Sequence, residues 1–328
     1  MSVSVKSLVR ILAIAAMAFS SLQVQAQSTS YPNRTVRIIV PAPPGGGTDA
    51  IARIVADRLG AQFGQQFIIE NRGGGSTTIG SNVVAKAAPD GYTLLVTAST
   101  HVINDVMLPN LPYDSWKDFT HLTRLTSGPS VLVVNTNVTA KTATELAAQM
   151  KTRPERYNLG TDAVGSLGYM SMELYRNASG AKFEIVNYKG AGPALADIVG
   201  GHITGMFSSV VATRPHITAG KVRALGVTSA ERVPSLPDVP TMVEQGFKNF
   251  IMTSWHGVYG PAGMPKEIQE KLVTAIKGIM SDPKVRERLT NEGFGPVSSS
   301  QEEFIEFEKN EYKLYRRLVD EGIVKLVQ

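Results

Sequence analysis

The chain lacks cysteine altogether, in 328 residues, which removes disulfides, thiolate nucleophiles and cysteine-ligated metals from consideration. Histidine is scarce: there are five, and His101, His121, His202, His216 and His256 show neither H-x-H nor H-E-x-x-H spacing, so no metal site is expected. Charge of one sign does not accumulate. With 33 Lys and Arg against 28 Asp and Glu, scattered and without a long basic block, nucleic acid is not expected as a partner. Beyond the first residues no apolar run is long enough to span a bilayer, which takes about 20 residues.

What is present begins with Lys6 and Arg10 ahead of an uncharged stretch from Ile11 to Phe19, then Gln23, Gln25 and a small Ala26. The pattern is that of a secretory signal peptide over residues 1–26, cleaved near Ala26. An exported protein is expected, periplasmic where the host has an outer membrane. The remainder is long enough for two ordinary domains whose stability rests on packed cores.

Short β-branched runs then alternate with helix-like patterns, the signature of an α/β fold around a largely parallel sheet. Strands are expected at Val36 to Val40, Phe67 to Ile69 and Tyr92 to Thr97. Between the first two, Ile51, Val55 and Leu59 recur at helical spacing, with Thr48 as N-cap and Gly60 as C-terminal stop. "PSVLVVNT", ending near Asn135, is followed by the helical "TATELAAQMKT". A second set of βα units runs through "YNLG", "FEIVNY", "ITGMFSS" and "VRALGVTS".

From Lys266 two helices are expected, separated by Asp282 and Pro283, and then an amphipathic helix from Gln301 that packs back on an earlier domain. The expected organisation is a discontinuous first lobe, residues 27–128 and 254–328, and a second lobe, residues 129–253, with crossings near Ser127 to Val131 and Thr253 to His256.

The stretch "PAPPGGGTDA" carries a dilemma. Gly45 to Ala50 fits G-x-G-x-x-G/A after a strand and before a helix, with Glu70 at the end of the next strand, as in dinucleotide-binding folds. Against this, Pro41, Pro43 and Pro44 supply no N–H groups, and an exported protein has no obvious nicotinamide pool. No Lys-Ser or Lys-Thr follows, so a P-loop is excluded. The general capacity is anion binding: glycines expose backbone N–H groups at a helix N-terminus, which suits a small carboxylate. Asp49 reads either as a ligand contact or as a first-turn acid complementing the helix dipole.

Turns of the same kind recur at "ENRGGGSTTIG", "TASTH", "GTDAVGSLG" and "NYKGAGP". Ligands of open α/β sheets bind at strand carboxyl ends, so such turns from two lobes can face each other across one cleft. A serine hydrolase is the competing class, since "VGSLG" approaches G-x-S-x-G. However, Val164 replaces the first glycine, and Ser166 is placed as a helix N-cap. Trp255 and Tyr259 read either as packing of the crossing or as an aromatic cleft wall.

The blocks "YPNRTVRIIVPAPPGGGTDAIAR", "IIENRGGGSTTIGSNVVAKAAPDGYTLL", "VNYKGAGPALADIVGGHIT", "AGKVRALGVTS", "PDVPTMVEQGF" and "GPAGMP", in this order, resemble the Bug-type (TctC-like) solute-binding proteins of tripartite tricarboxylate transporters. The resemblance runs from Tyr31 into the C-terminal helix. It implies a two-lobed periplasmic-binding-protein fold, type II-like, closing by a hinge of two crossovers on a small organic acid, which is handed to transporter membrane subunits. It implies no enzymatic activity and no cofactor, and a monomer is expected.

Carried over, the resemblance places Pro44, Gly45, Gly46, Gly47, Thr48 and Asp49 at the ligand. From the next strand end it adds Ser99, Thr100 and His101, and from the second lobe Thr161, Asp162, Ser166 and Ser208. Asp162 departs from the small neutral residues common at that position; it either accepts a hydrogen bond from the ligand or caps its own turn. No arginine stands in these loops apart from Arg72 and Arg214, which leaves di- and tricarboxylates, aromatic acids and amino acids open.

Overall fold

The computed structural model describes residues 31–162, 166–188, 190–324 and 326; the expected signal peptide, residues 1–26, lies outside them. The chain divides into two compact units, Met1–Arg34 and Thr35–Gln328, and all helices and strands among the described residues belong to the second.

That unit begins with strand β1 (Val36–Val40), helix α1 (Gly47–Phe63), β2 (Phe67–Asn71), α2 (Thr78–Ala85), β3 (Thr93–Ala98) and α3 (Thr100–Met107). β1 pairs in parallel with β2 on one side and β3 on the other. Strand β4 (Phe119–Asn135) is much longer and changes partners along its length. Its first part, up to Pro129, pairs antiparallel with β9 (Thr253–Pro261); its last part, from Ser130, pairs with β7 (Gly205–Ser209) and β8 (Val222–Val227). The result is one continuous curled sheet in the order β2-β1-β3-β9-β4-β7-β5-β6.

The β7 side is completed by α4 (Ala143–Thr152), β5 (Asn158–Thr161), α5 (Leu167–Ser179), β6 (Glu184–Asn187), α6 (Ala191–Gly200) and α7 (Val210–Thr218). β5 pairs in parallel with β6 and β7. The chain then returns through β9 to α8 (Lys266–Ser281), α9 (Pro283–Asn291), the short β10 (Gly295–Pro296) and α10 (Gln301–Asp320).

The expected strands and helices are present, with shifts that have local causes. Helix α1 starts after Gly46, not at Thr48, and runs through Gly60 to stop at Gly64, whose left-handed backbone (φ 65°) ends it as glycine does most easily. Asp282 caps α9 through the N–H groups of Lys284 and Val285. Ser300 caps α10 with a reciprocal capping box to Glu303.

Helix α10 packs on β9, in the middle of the sheet. Its Phe304 packs on Trp255 and Tyr259 and occupies the space beside Gly257, where a Cβ would meet the ring. Trp255 donates from Nε1 to Glu311 at 3.2 Å, and the Tyr259 hydroxyl donates to Glu308. These two aromatics are therefore fully buried beneath α10, not on a cleft wall.

Candidate functional site: a cavity between helix N-termini

The first glycine turn is organised from below. Asp49 is 2% exposed. Its Oδ2 accepts from the Gly45 N–H at 2.9 Å and from Arg53 Nε at 2.9 Å, while Oδ1 accepts from Asn71 Nδ2 at 3.0 Å. Burial pushes this carboxyl up, but the bonds from Arg53, Gly45 and Asn71 outweigh it and hold it below the ordinary value. Asp49 is thus a clamp under the loop.

Above it, α1 opens with Gly46 in extended conformation and no side-chain cap. Among the described residues, nothing accepts from the N–H groups of Gly46, Gly47 and Thr48. These donors stand at the positive end of the helix dipole, the arrangement that suits an anion.

Gly45, Gly46, Gly47 and Thr48 line one wall of a cavity of about 510 Å³. Its floor is made where β3, β4 and β9 meet, by Ala98, Gly128, Pro129, Ser254 and His256. The opposite wall is the start of α7, Ser209 to Ala212, with Gly192 from the first turn of α6. Gly293 and Phe294, after α9, complete it. Helix α6, like α1, begins without a side-chain cap, whereas Ser209 caps α7 by accepting from the Ala212 N–H at 3.3 Å. Three helix N-termini therefore converge on one cavity.

Among the described residues, the lining holds no Lys, Arg, Asp or Glu. The ionisable side chain among them, His256, is 6% exposed, and desolvation takes its pKa down to about 4, so the imidazole is neutral near pH 7. A larger hollow of about 640 Å³, beside Asn135, Arg153 and His202, lies at the amino ends of β5 and β7. It lacks convergent helix starts, and the position at the carboxyl ends of parallel strands favours the smaller cavity.

Of the residues singled out from sequence, only Gly45 to Thr48 line this cavity, with exposed Pro44 just before them. Ser99 is buried, its N–H donating to Trp255 O at 3.0 Å, and half-buried Thr100 follows it at the start of α3. His101 lies in the core: its ring stacks on Tyr113 and meets Phe119 and Tyr259, both ring nitrogens are buried without a partner, and burial takes its pKa down to about 3. Thr161 and Ser166 stand together at the end of β5, their hydroxyls 3.3 Å apart, and Ser166 caps α5 by accepting from the Tyr169 N–H. Asp162 keeps one buried carboxylate oxygen with no partner. Ser208 is buried, one residue short of the lining Ser209.

The dinucleotide alternative also loses its acidic residue. Glu70 is engaged by Arg37 through two bonds of 3.0 and 2.9 Å and by Arg72 at 3.2 Å, so it is not free to take a ribose.

A cavity lined by helix N-termini and, among the described residues, by no charged side chain, at the carboxyl ends of a curled, two-lobed α/β sheet, defines a solute-binding protein of the periplasmic type. Residues 51–323 match the family model described as tripartite tricarboxylate transporter family receptor, and the chain belongs to this TctC/Bug family of periplasmic solute-binding proteins. Its members capture small organic acids for tripartite tricarboxylate-type transport.

The chain is 32% identical to the protein BugT of Bordetella pertussis over 98% of its own length and 99% of BugT's. Among solved structures, it is similar to a Rhodopseudomonas palustris protein with adipate (30% identity, TM-score 0.84, 90% of this chain and 100% of that one). It is similar also to MatC of the same organism with bound malate (32% identity, TM-score 0.78, 88% and 100%).

Proposed function

We propose that the 510 Å³ cavity is the ligand site and that it holds a carboxylate on the N–H groups of Gly46, Gly47 and Thr48. The observation that carries this is the uncapped start of α1, which leaves three backbone donors without acceptors beside a lining that, among the described residues, has no basic side chain. Hydrogen bonds to a charged acceptor are the stronger kind, and here they replace an arginine clamp.

The lobes we assign to residues 27–128 with 254–328 and to residues 129–253. The change of partners in β4 between Pro129 and Ser130 and the start of β9 at Thr253 support this division. Closing about these crossovers brings the start of α7 over the ligand, excludes water and strengthens each hydrogen bond. The protein acts as a monomer, presenting its closed form to the membrane subunits of a tripartite tricarboxylate-type transporter. Thr161, Asp162 and Ser166 face the ligand's distal part on closure. The adipate and malate bound by similar proteins support trying dicarboxylates first among the candidate acids.

Calorimetry with succinate, malate, adipate and terephthalate, each beside its neutral diamide, tests the reading. At least one acid is expected to bind and its diamide to fail. Equal binding of acid and amide, or binding of none alongside a response to NAD, would overturn it.

A further inference from the structure

His256 was not marked by any motif, yet among the described lining residues it is the one whose side chain has a nitrogen to offer. On β9 it follows Trp255, and because successive strand residues point to opposite faces, Trp255 enters the core while His256 turns to the cavity. Its Nδ1 lies 2.8 Å from the Thr126 hydroxyl. Thr126 is completely buried, and among the described residues that hydroxyl has no other hydrogen-bond partner. If Nδ1 carried the proton, the buried Thr126 O–H would have no acceptor; if Thr126 donates to Nδ1, both of these buried groups are satisfied. The second arrangement fixes the proton on Nε2.

Nε2 has no protein partner among the described residues and, unlike the nitrogens of His101, is not sealed from the cavity. Phe294 supports the ring edge-on, centroids 5.6 Å apart. The same Phe294 ring also abuts Gly47, where a Cβ would come within 3.1 Å of it. One aromatic ring thus separates the α1 donors from the His256 donor.

We infer that Thr126 locks His256 in the Nε2–H tautomer and that this N–H is a specificity-determining donor for a second acceptor oxygen of the ligand. A carboxylate or oxo group would sit at His256 while the first carboxylate rests on Gly46 to Thr48 and the body lies on Phe294. The inference rests on the carboxylate reading above and adds to it a preference: acids with an acceptor at each end over monoacids of the same body. His256 contacts the ligand; Thr126 is a positioning residue.

Two measurements test it. Long-range nitrogen-15 NMR of the ligand-free protein, with the His256 signals assigned by their loss in His256→Gln, is expected to show the Nε2–H form, and Thr126→Val to show a tautomer mixture. The Nδ1–H form in the wild type would overturn the lock. Calorimetry compares succinate with butyrate, adipate with hexanoate, and terephthalate with 4-methylbenzoate. In the pair that fits, the diacid is expected to bind at least tenfold more tightly. That ratio should fall towards one in His256→Phe, fall severalfold in Thr126→Val and recover in part in His256→Gln, which keeps an N–H donor.

An unchanged ratio in folded His256→Phe would overturn the inference and leave the carboxylate reading standing. No binding of any member by the wild type would remove that reading and the specificity claim together, with the tautomer still decided by NMR.

Discussion

Replacing Asp49 by alanine separates its two sequence readings, ligand contact and helix start, from the third role found in the structure. The substitution removes the acceptor for the Gly45 N–H and Asn71 Nδ2 and the ion pair with Arg53. Hydrogen bonds to charged groups contribute about 1.5–3 kcal/mol each. The Arg53 side chain is half-exposed (52%), so its share is below about 1 kcal/mol after solvent screening. Taken at the low end for the Gly45 and Asn71 bonds, because Gly45 is exposed, a loss of about 3 kcal/mol follows, which at about 2–4 °C per kcal/mol lowers the melting temperature by roughly 6–12 °C. Arg53→Ala should cost little.

Differential scanning calorimetry reads the stability. Calorimetric titration with whichever acid binds the wild type reads the site, where Asp49→Ala should weaken binding because the Gly45 to Gly47 turn loses its anchor. If Asp49→Ala melts within about 2 °C of the wild type and binds as well, the clamp does not exist. If it binds more tightly, Asp49 faces the anion and repels it.

Further outcomes follow from buried groups. His101→Leu should leave ligand binding unchanged and raise stability, because it removes two buried, unpartnered nitrogens; a large loss of affinity would put His101 back at the site. With its pKa lowered from 6.5 to about 3, the unfolded chain binds the extra proton, so the wild type loses stability as pH falls from 6.5 towards 3. Urea titrations at several pH values should show that slope reduced in His101→Leu, by up to about 5 kcal/mol across the range.

Glu308 works in the opposite direction. Burial pushes its carboxyl up to about 8 and takes neighbouring His121, 3.4 Å away, down to about 4, so both are neutral near pH 7. Between pH 4.5 and 8 the unfolded chain has released the Glu308 proton and the folded one has not, so this group costs stability as pH rises. Glu308→Gln should gain on the wild type at pH 8 and not at pH 4.5. Gly293→Ala should cost about 1–2 kcal/mol, since Gly293 has φ +90° and a Cβ would press on Val210 and Val211 at 3.3 and 3.4 Å; unchanged melting would remove the claim that this turn needs glycine.

The sequence carried the strands, the order of the βα units and the first glycine turn because these are local patterns: period-two runs, helical spacing and turn chemistry. What it did not carry is orientation. Ser208 and Ser209 differ by one residue, and only the place where β7 gives way to α7 decides that the second lines the cavity. Trp255 and His256 exchange roles through strand alternation against α10, a contact between residues about 50 positions apart in the chain, as in the Trp255–Glu311 bond. Gly293 and Phe294 come from a turn after α9 whose place above Gly47 no local signal announces. His101 follows a strand end, as expected of a site residue, but the start of α3 turns its ring inward among Tyr113, Phe119 and Tyr259.

The central claim is that a ligand carboxylate rests on the uncapped start of α1. A crystal structure of the protein with a bound acid tests it most directly. Carboxylate oxygens are expected within about 3 Å of the nitrogens of Gly46, Gly47 and Thr48, beneath the first turn of α7. An acid bound instead in the hollow beside Asn135, Arg153 and His202, with those three N–H groups facing only water, would contradict the account.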